Sequence, residues 1–230
     1  MSERVQDDAS VKTQYYLAKV YRLADFAADS EYVTTSALAD ALMVTAPAVN
    51  RTVNRLKEAD LLEHEPYRGI RLTEKGRREA LRHLRVQRIA EAFLTKVMGL
   101  DWAAAYEEAD ALSLNLSEAI VQRMNEMAGE PRYCPHGEPI PTPDGQIEAM
   151  GDQLLSDTPA GQTVQITRMR TRDSDRLRYI AALGLLPGTT LEVLHVAPFN
   201  GPLQLRIKQE YRIVGHNLAE LVRVRPVSAG

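Results

Sequence analysis

At 230 residues the chain has room for one large domain or two to three small ones. Its 44% apolar and 26% charged residues are ordinary for a soluble globular protein. No run of about 18 apolar residues exists to span a membrane, and the polar, acidic start MSERVQDDASVKTQ lacks the basic-then-apolar pattern of a signal peptide. The single cysteine excludes an internal disulfide and fits a reducing cytoplasm. The net charge of −3 hides a strong segregation: residues 51–90 hold 11 Lys/Arg against 6 Asp/Glu, residues 101–160 hold 2 against 12, and residues 161–230 hold 10 against 5. Different parts of the chain are therefore expected to meet different partners.

In chain order, residues 11–29 predict an amphipathic helix with Leu17, Val20, Ala24 and Ala27 on one face. Residues 34–43 predict a short second helix capped by Thr34 or Thr35. A third follows in APAVNRTVNRLKEADLL, with Thr45 as its cap and Pro47 in its first turn, where a missing N–H is harmless. Val49, Val53 and Leu56 form its buried stripe, leaving Asn50, Arg51, Asn54 and Arg55 on the other side. LLEHEPYRGIRLTEKG then predicts two short strands turning at Tyr67-Arg68-Gly69, where Gly69 supplies positive-φ freedom. Helix, turn, Asn/Arg-rich helix and hairpin are the order of a winged helix-turn-helix.

Such a unit lays its second helix in the major groove of double-stranded DNA. Thr45, Ala46, Ala48, Asn50, Arg51, Asn54 and Arg55 would face base edges: Arg pairs with guanine, Asn with adenine, and the Ala and Thr methyls touch thymine. Arg68 and Arg71 of the wing, with Lys57, suit phosphates. Beyond the wing, residues 73–98 predict a long basic helix with Leu81, Leu84, Ile89, Ala92, Phe93 and Val97 on its apolar side. Residues 102–127 predict another, whose Ala105, Ala109, Leu112, Leu116, Ala119 or Ile120, Met124 and Met127 make a seam for a helix of this or another subunit. Residues 128–161 hold 6 of the 12 prolines and read as linker. Five strand-like runs then follow, with one helix over 173–184 capped by Asp173 and stopped by Gly184; they suit a small, partly open barrel.

Taken together, YYLAKVYRL, TAPAVNRTVNRLKEADLLEHEPYRGIRLTEKGR, RIAEAFLTKVMGLDW, EEADALSLNLSEAI, YCPHGEPIPTPDG and LRYIAALGLLPGTTLEV come in an order that resembles the DtxR/MntR family of metal-dependent repressors. The resemblance implies an α+β chain in three parts. They are a winged helix-turn-helix over 1–74, a helical metal-binding and dimerisation domain over 75–150, and a FeoA-like, SH3-like small β-barrel over 160–230. It implies a homodimer that binds operator DNA when loaded with a divalent metal, manganese before iron or zinc. The family's main metal site maps onto Tyr15, Asp110, Ser113 and Leu114, of which only Asp110 is a normal ligand; a shift of one turn would offer Glu107 or Glu108 instead. A second site maps onto Glu91, Cys134, His136 and Asp173, a sensible four-coordinate donor set for a first-row divalent ion.

Plainer readings stand beside that set. Asp173 can be just an N-cap, Glu91 can pair with Arg88 or Arg85, and Cys134 can be a small buried side chain. His136 can bond within its own loop. Gln87 stands where other members carry a histidine; His83 can substitute for it or be simply solvated. An alternative function follows: a DNA-binding regulator of this fold that has lost metal dependence. Catalysis is not expected, because Cys134 and His136, two apart in a Pro-stiffened loop, align poorly as nucleophile and base, and no Gly-rich phosphate loop, Ser elbow or HExxH is present.

Overall fold

The computed structural model describes residues 2–27 and 31–227. They form two compact units: residues up to Gln87 with Ala111–Ser117 and Pro141–Ile147, and Arg88–Asp110 with Glu118–Ile140 and Glu148 onward. No helix among the described residues is long and apolar enough to cross a membrane.

The first unit opens with α1 (Ser2–Phe26), which starts earlier than its apolar face suggested because nothing in the polar lead-in breaks a helix. Ala27 is exposed in the turn beyond, and the expected helix end at Ala28 and Asp29 lies outside the described residues. In α2 (Thr35–Leu42) the cap is Thr34, whose hydroxyl accepts from the Ala37 N–H. Thr45 sits at the cap of α3 (Ala46–Glu58) without a side-chain bond to it, so Pro47 and the extended Thr45 backbone start that helix. Strands β1 (Leu62–Glu65) and β2 (Gly69–Leu72) pair antiparallel, and Val33 adds a bridge to Ile70. Gly69, at φ 117°, is required there: a Cβ would lie 2.5 Å from the Val33 carbonyl oxygen. Leu17, Val20, Leu38, Val49, Val53, Leu56, Leu62 and Ile70 share one core, so the α3 stripe read from the sequence is the stripe that is buried.

The long helix α4 (Glu74–Lys96) is apolar on one side in its first half, but from His83 to Leu94 it is buried on almost every side. Val97 lies just past its end and is exposed. The helix expected over 102–127 is two, α5 (Ala105–Ser113) and α6 (Glu118–Met127). Asn115 turns back on the Leu112 carbonyl, and Asn115 and Ser117 are residues that compete with helix for backbone bonds. The break resets the helical phase. Val121 is buried, whereas Ile120 and Met127 are about half exposed, so no continuous seam runs through both helices.

The C-terminal part holds one strand more than the five expected. Strands β3 (Gln153–Leu154), β4 (Thr163–Met169), β5 (Thr190–Val196), β6 (Leu203–Ile207), β7 (Glu210–Val214) and β8 (Val222–Pro226) form one antiparallel sheet in the order β3-β8-β4-β5-β6-β7. Register shifts at Ile166/Arg168 and Val193/His195 curve it. Its inner face, Val164, Ile166, Leu191, Val193, Leu203, Leu205, Val222 and Val224, closes on Leu177 and Ile180 of α7 (Ser174–Ala182) and on Ala219 of α8 (His216–Ala219). The stretch read as linker is packed in part: Cys134, His136, Gly137, Glu138 and Pro139 are all buried. Proline rigidity and the Tyr133–Pro139 bridge shape it into a tight loop rather than a tether.

Candidate metal centre and nucleic-acid interface

Glu91 and the Cys134–Glu138 loop meet in the second unit. Gly137 N–H bonds to the Cys134 carbonyl and Cys134 N–H to the Glu138 carbonyl, both at 2.9 Å, so the loop folds its two soft side chains inward. Met169 N–H, bonded to the His136 carbonyl at 3.0 Å, ties the loop to β4. Ligand atoms of Glu91, Cys134 and His136, all three buried, lie within 4.8 Å of one another. His136 Nδ1 donates to Glu91 Oε2 at 2.9 Å, and its Nε2 is buried with no hydrogen-bond partner among the described residues. A carboxylate that fixes one ring nitrogen and leaves the other's lone pair open is the usual preparation of a metal-ligating histidine. Burial, and then the carboxylates of Glu91 and Glu138, push the Cys134 thiol well above its ordinary value. Thiol, imidazole and carboxylate are donors that suit a first-row divalent ion, and an ion that took Glu91 as a ligand would replace its bond to His136.

Around these ligands stands a buried charge network that sequence reasoning missed. Glu138 is fully buried between Arg88 of α4, 3.1 Å away, and Arg172, 2.7 Å away. Arg88 also donates to the Pro139 carbonyl at 2.6 Å. Two guanidiniums thus flank the carboxylate of Glu138, while that of Glu91 is bonded to His136. Trp102 closes the side, donating to the Pro135 carbonyl at 2.8 Å with its ring 5.0 Å from that of His136. Glu91 pairs with neither Arg88 nor Arg85; Arg85 donates to the Pro141 carbonyl.

Gly137 makes the close packing possible. At φ 85° it lies so near β4 that a Cβ would stand 1.9 Å from the Thr167 carbonyl oxygen. Gly137→Ala is expected to cost about 2–5 kcal/mol from overpacking and a left-handed backbone together. Thermal unfolding checks it: an unchanged melting temperature would mean the loop is not held against β4 in solution.

Asp173 does not join the group. Its carboxylate caps α7, accepting from the Arg176 N–H at 2.8 Å. The positions matching the family's main site hold no cluster of three ligands among the described residues. Instead Ser113 Oγ lies 3.4 Å from His83 Nε2, and the Tyr15 ring meets His83 edge-on with centroids 5.4 Å apart. Asp110 and Leu114 are half-buried on or beside α5, and Glu107 and Glu108 point to solvent. His83, expected to be solvated or to complete the second site, does neither: it is 3% exposed. Gln87, one turn on, accepts from Arg22 at 3.4 Å.

The second candidate surface is α3 with the wing. Thr45, Ala46, Asn50, Arg51, Asn54 and Arg55 are exposed and Ala48 is half-buried, opposite the buried Val49, Val53 and Leu56. Arg68 and Arg71 are less free than their position suggested. Arg68 pairs with Glu65 at 2.8 Å and Arg71 with Glu63 at 2.6 Å, and both guanidiniums lie over the Tyr32 ring, at 4.1 and 5.4 Å. The Tyr32 hydroxyl donates to Glu65, and that bond leads the causes holding the Glu65 carboxyl below its usual range. Acids on β1 followed by arginines in the turn and on β2 were the available hint of this ladder, since Glu63 faces Arg71 in the register.

Residues 8–70 match the iron dependent repressor N-terminal DNA binding domain, residues 73–142 the iron dependent repressor metal binding and dimerisation domain, and residues 153–226 the FeoA domain. The iron-dependent repressor IdeR of Mycobacterium bovis is 29% identical, over 94% of this chain and 97% of its own. An HTH-type transcriptional regulator of Methanocaldococcus jannaschii is 32% identical, over 54% of this chain and 91% of its own. A solved manganese-dependent transcriptional repressor in complex with manganese superposes with a TM-score of 0.85 at 29% identity, covering 94% of this chain and all of that one. Its domains match this one lineage in order from end to end, and the chain belongs to the DtxR/MntR family of metal-dependent transcriptional repressors.

Proposed function

We propose that this chain is a dimeric, metal-responsive repressor of metal homeostasis genes, acting on operator DNA in the cytoplasm through α3 and the wing. The observation that carries the metal reading is the buried group of Glu91, Cys134 and His136, with its open imidazole nitrogen. A bound ion would supply a cross-link between α4 and the Cys134–Glu138 loop. The protein's own part is to orient His136 through Glu91, to exclude water with Trp102, and to hold the loop in place through Arg88, Glu138 and Arg172. Likeness to the manganese-bound repressor supports manganese as the ion; the thiol in the donor set supports iron or zinc as the second reading.

In a homodimer, two α3 helices about 34 Å apart would read half-sites one DNA turn apart. Of the α3 residues, Arg51 is expected to matter most: Arg51→Ala should weaken operator binding by about 1–3 kcal/mol and relax specificity at one base pair. Fluorescence anisotropy tests the whole reading, with DNA from upstream of the chain's own gene and chelator-stripped protein titrated with Mn²⁺, Fe²⁺ or Zn²⁺. Tightening of tenfold, about 1.4 kcal/mol, should be lost in Cys134→Ala and His136→Ala. By linkage the operator tightens metal binding by the same factor. Equal affinity of stripped and loaded protein would instead mean a DNA-binding regulator of this fold without metal control. The hydrogen-bonded His83 and Ser113 at the main-site positions are the observation in favour of that outcome.

A further inference from the structure

The tip of the wing is the turn Glu65-Pro66-Tyr67-Arg68, closed by a 3.2 Å bond from the Arg68 N–H to the Glu65 carbonyl. Proline in the second place and a positive φ in the third mark a type II turn, whose third place belongs to glycine or asparagine because a Cβ there crowds the backbone. In this chain it is Tyr67, at φ 67°. Its side chain is fully exposed and makes no hydrogen bond, ion pair or ring contact among the described residues. Nothing within the fold offsets either the strained backbone or the solvated ring. Strain retained at an exposed aromatic points to a surface that meets a partner.

The surroundings set the partner's chemistry. Tyr67 crowns the hairpin that carries Arg68 and Arg71, in the same unit as the exposed Asn and Arg side chains of α3. Both wing guanidiniums are already paired with the wing's own Glu65 and Glu63. A phosphate reaches either one only by exchanging with a carboxylate, so the wing needs a contact that does not draw on net charge. Resting on the DNA-binding reading above, we infer that Tyr67 is a DNA-contacting residue: its ring packs on the deoxyribose wall of the groove beside the wing, and its hydroxyl donates to a phosphate oxygen.

The test uses the full metal-loaded chain, the upstream duplex, and the variants Tyr67→Gly, Tyr67→Asn and Tyr67→Phe. Glycine and asparagine accept the positive φ, so those two variants should melt no lower than the parent. Both should nonetheless bind the duplex at least fivefold more weakly, with the slope of log affinity against log salt unchanged. Tyr67→Phe should lie between them and the parent. Lys57→Gln, by contrast, should make that slope shallower, because it removes an exposed charge suited to a phosphate. Parent-like affinity in both Tyr67→Gly and Tyr67→Asn overturns the inference, as does a melting temperature several degrees lower, which would make Tyr67 a structural anchor. If the parent chain binds no duplex under any metal, the DNA reading falls and takes this inference with it.

Discussion

Glu138→Ala is expected to destabilise the protein by about 3–5 kcal/mol, the cost of leaving buried charge uncompensated. The carboxylate is fully buried and both partners nearly so, with Arg88 and Arg172 at 3.1 and 2.7 Å. Removing it leaves two guanidiniums without their carboxylate in an interior that cannot hydrate them. Circular-dichroism melting should show a fall of roughly 10 °C for a chain of this size. Burial, not charge count, decides this. The Arg123–Glu126 pair on α6 has the same chemistry at 3.2 Å but with side chains 69% and 43% exposed, so Glu126→Ala should cost no more than about 0.5 kcal/mol. Equal effects of the two substitutions would show that Glu138 is hydrated in solution and that the network does not hold the loop.

That network also marks where the sequence stopped being legible. The α3 stripe, the Thr34 cap, the Asp173 cap and the Gly184 stop are local: each follows from a spacing of a few residues and from which side chains tolerate which backbone. Glu138 has no such signal. In CPHGEP it reads as a solvated acid in a Pro-rich connector, and its partners lie 50 residues back and 34 residues on. Neither helical nor strand periodicity can register that kind of triad. The same holds for α4, where polar His83, Gln87, Arg88 and Glu91 occupy buried positions that a hydrophobic pattern assigns to solvent. Cys134 and His136 stood out by residue type, but Glu91 joined them only through the family resemblance. The carboxylate pairing of the wing arginines went unread for a simpler reason: opposite charges on neighbouring strands and their turn look like an ordinary solvated face until the register is known.

Metal binding is expected to release about one proton per ion near pH 7, and the proton should come from Cys134. In the folded chain, burial and then the neighbouring carboxylates of Glu91 and Glu138 hold the thiol pKa above its ordinary value of 9.0. At neutral pH the sulfur is therefore protonated, whereas the ligand an ion needs is the thiolate. Each unit of pH between 7 and 8 should then strengthen the apparent affinity about tenfold. Calorimetry in two buffers of different ionisation enthalpy counts the protons directly. Cys134→Ser should bring the count close to zero and flatten the pH dependence, since a serine hydroxyl does not ionise in this range. A count near zero in the parent chain would remove the thiol from the ligand set and leave His136 and Glu91 as the only anchors. The same raised pKa has a second, independent consequence for the metal-free chain. The folded state keeps the thiol proton while the unfolded chain loses it above the ordinary value, so the contribution of the buried thiol to stability is fully present below about pH 9 and declines as pH rises further. Loaded protein should escape that decline, because its thiolate is already formed and held by the ion. Urea titrations at pH 8 and pH 10, with and without chelator, therefore separate a metal ligand from a merely buried cysteine: the ligand predicts alkaline sensitivity in the chelated protein alone, the buried cysteine predicts it in both.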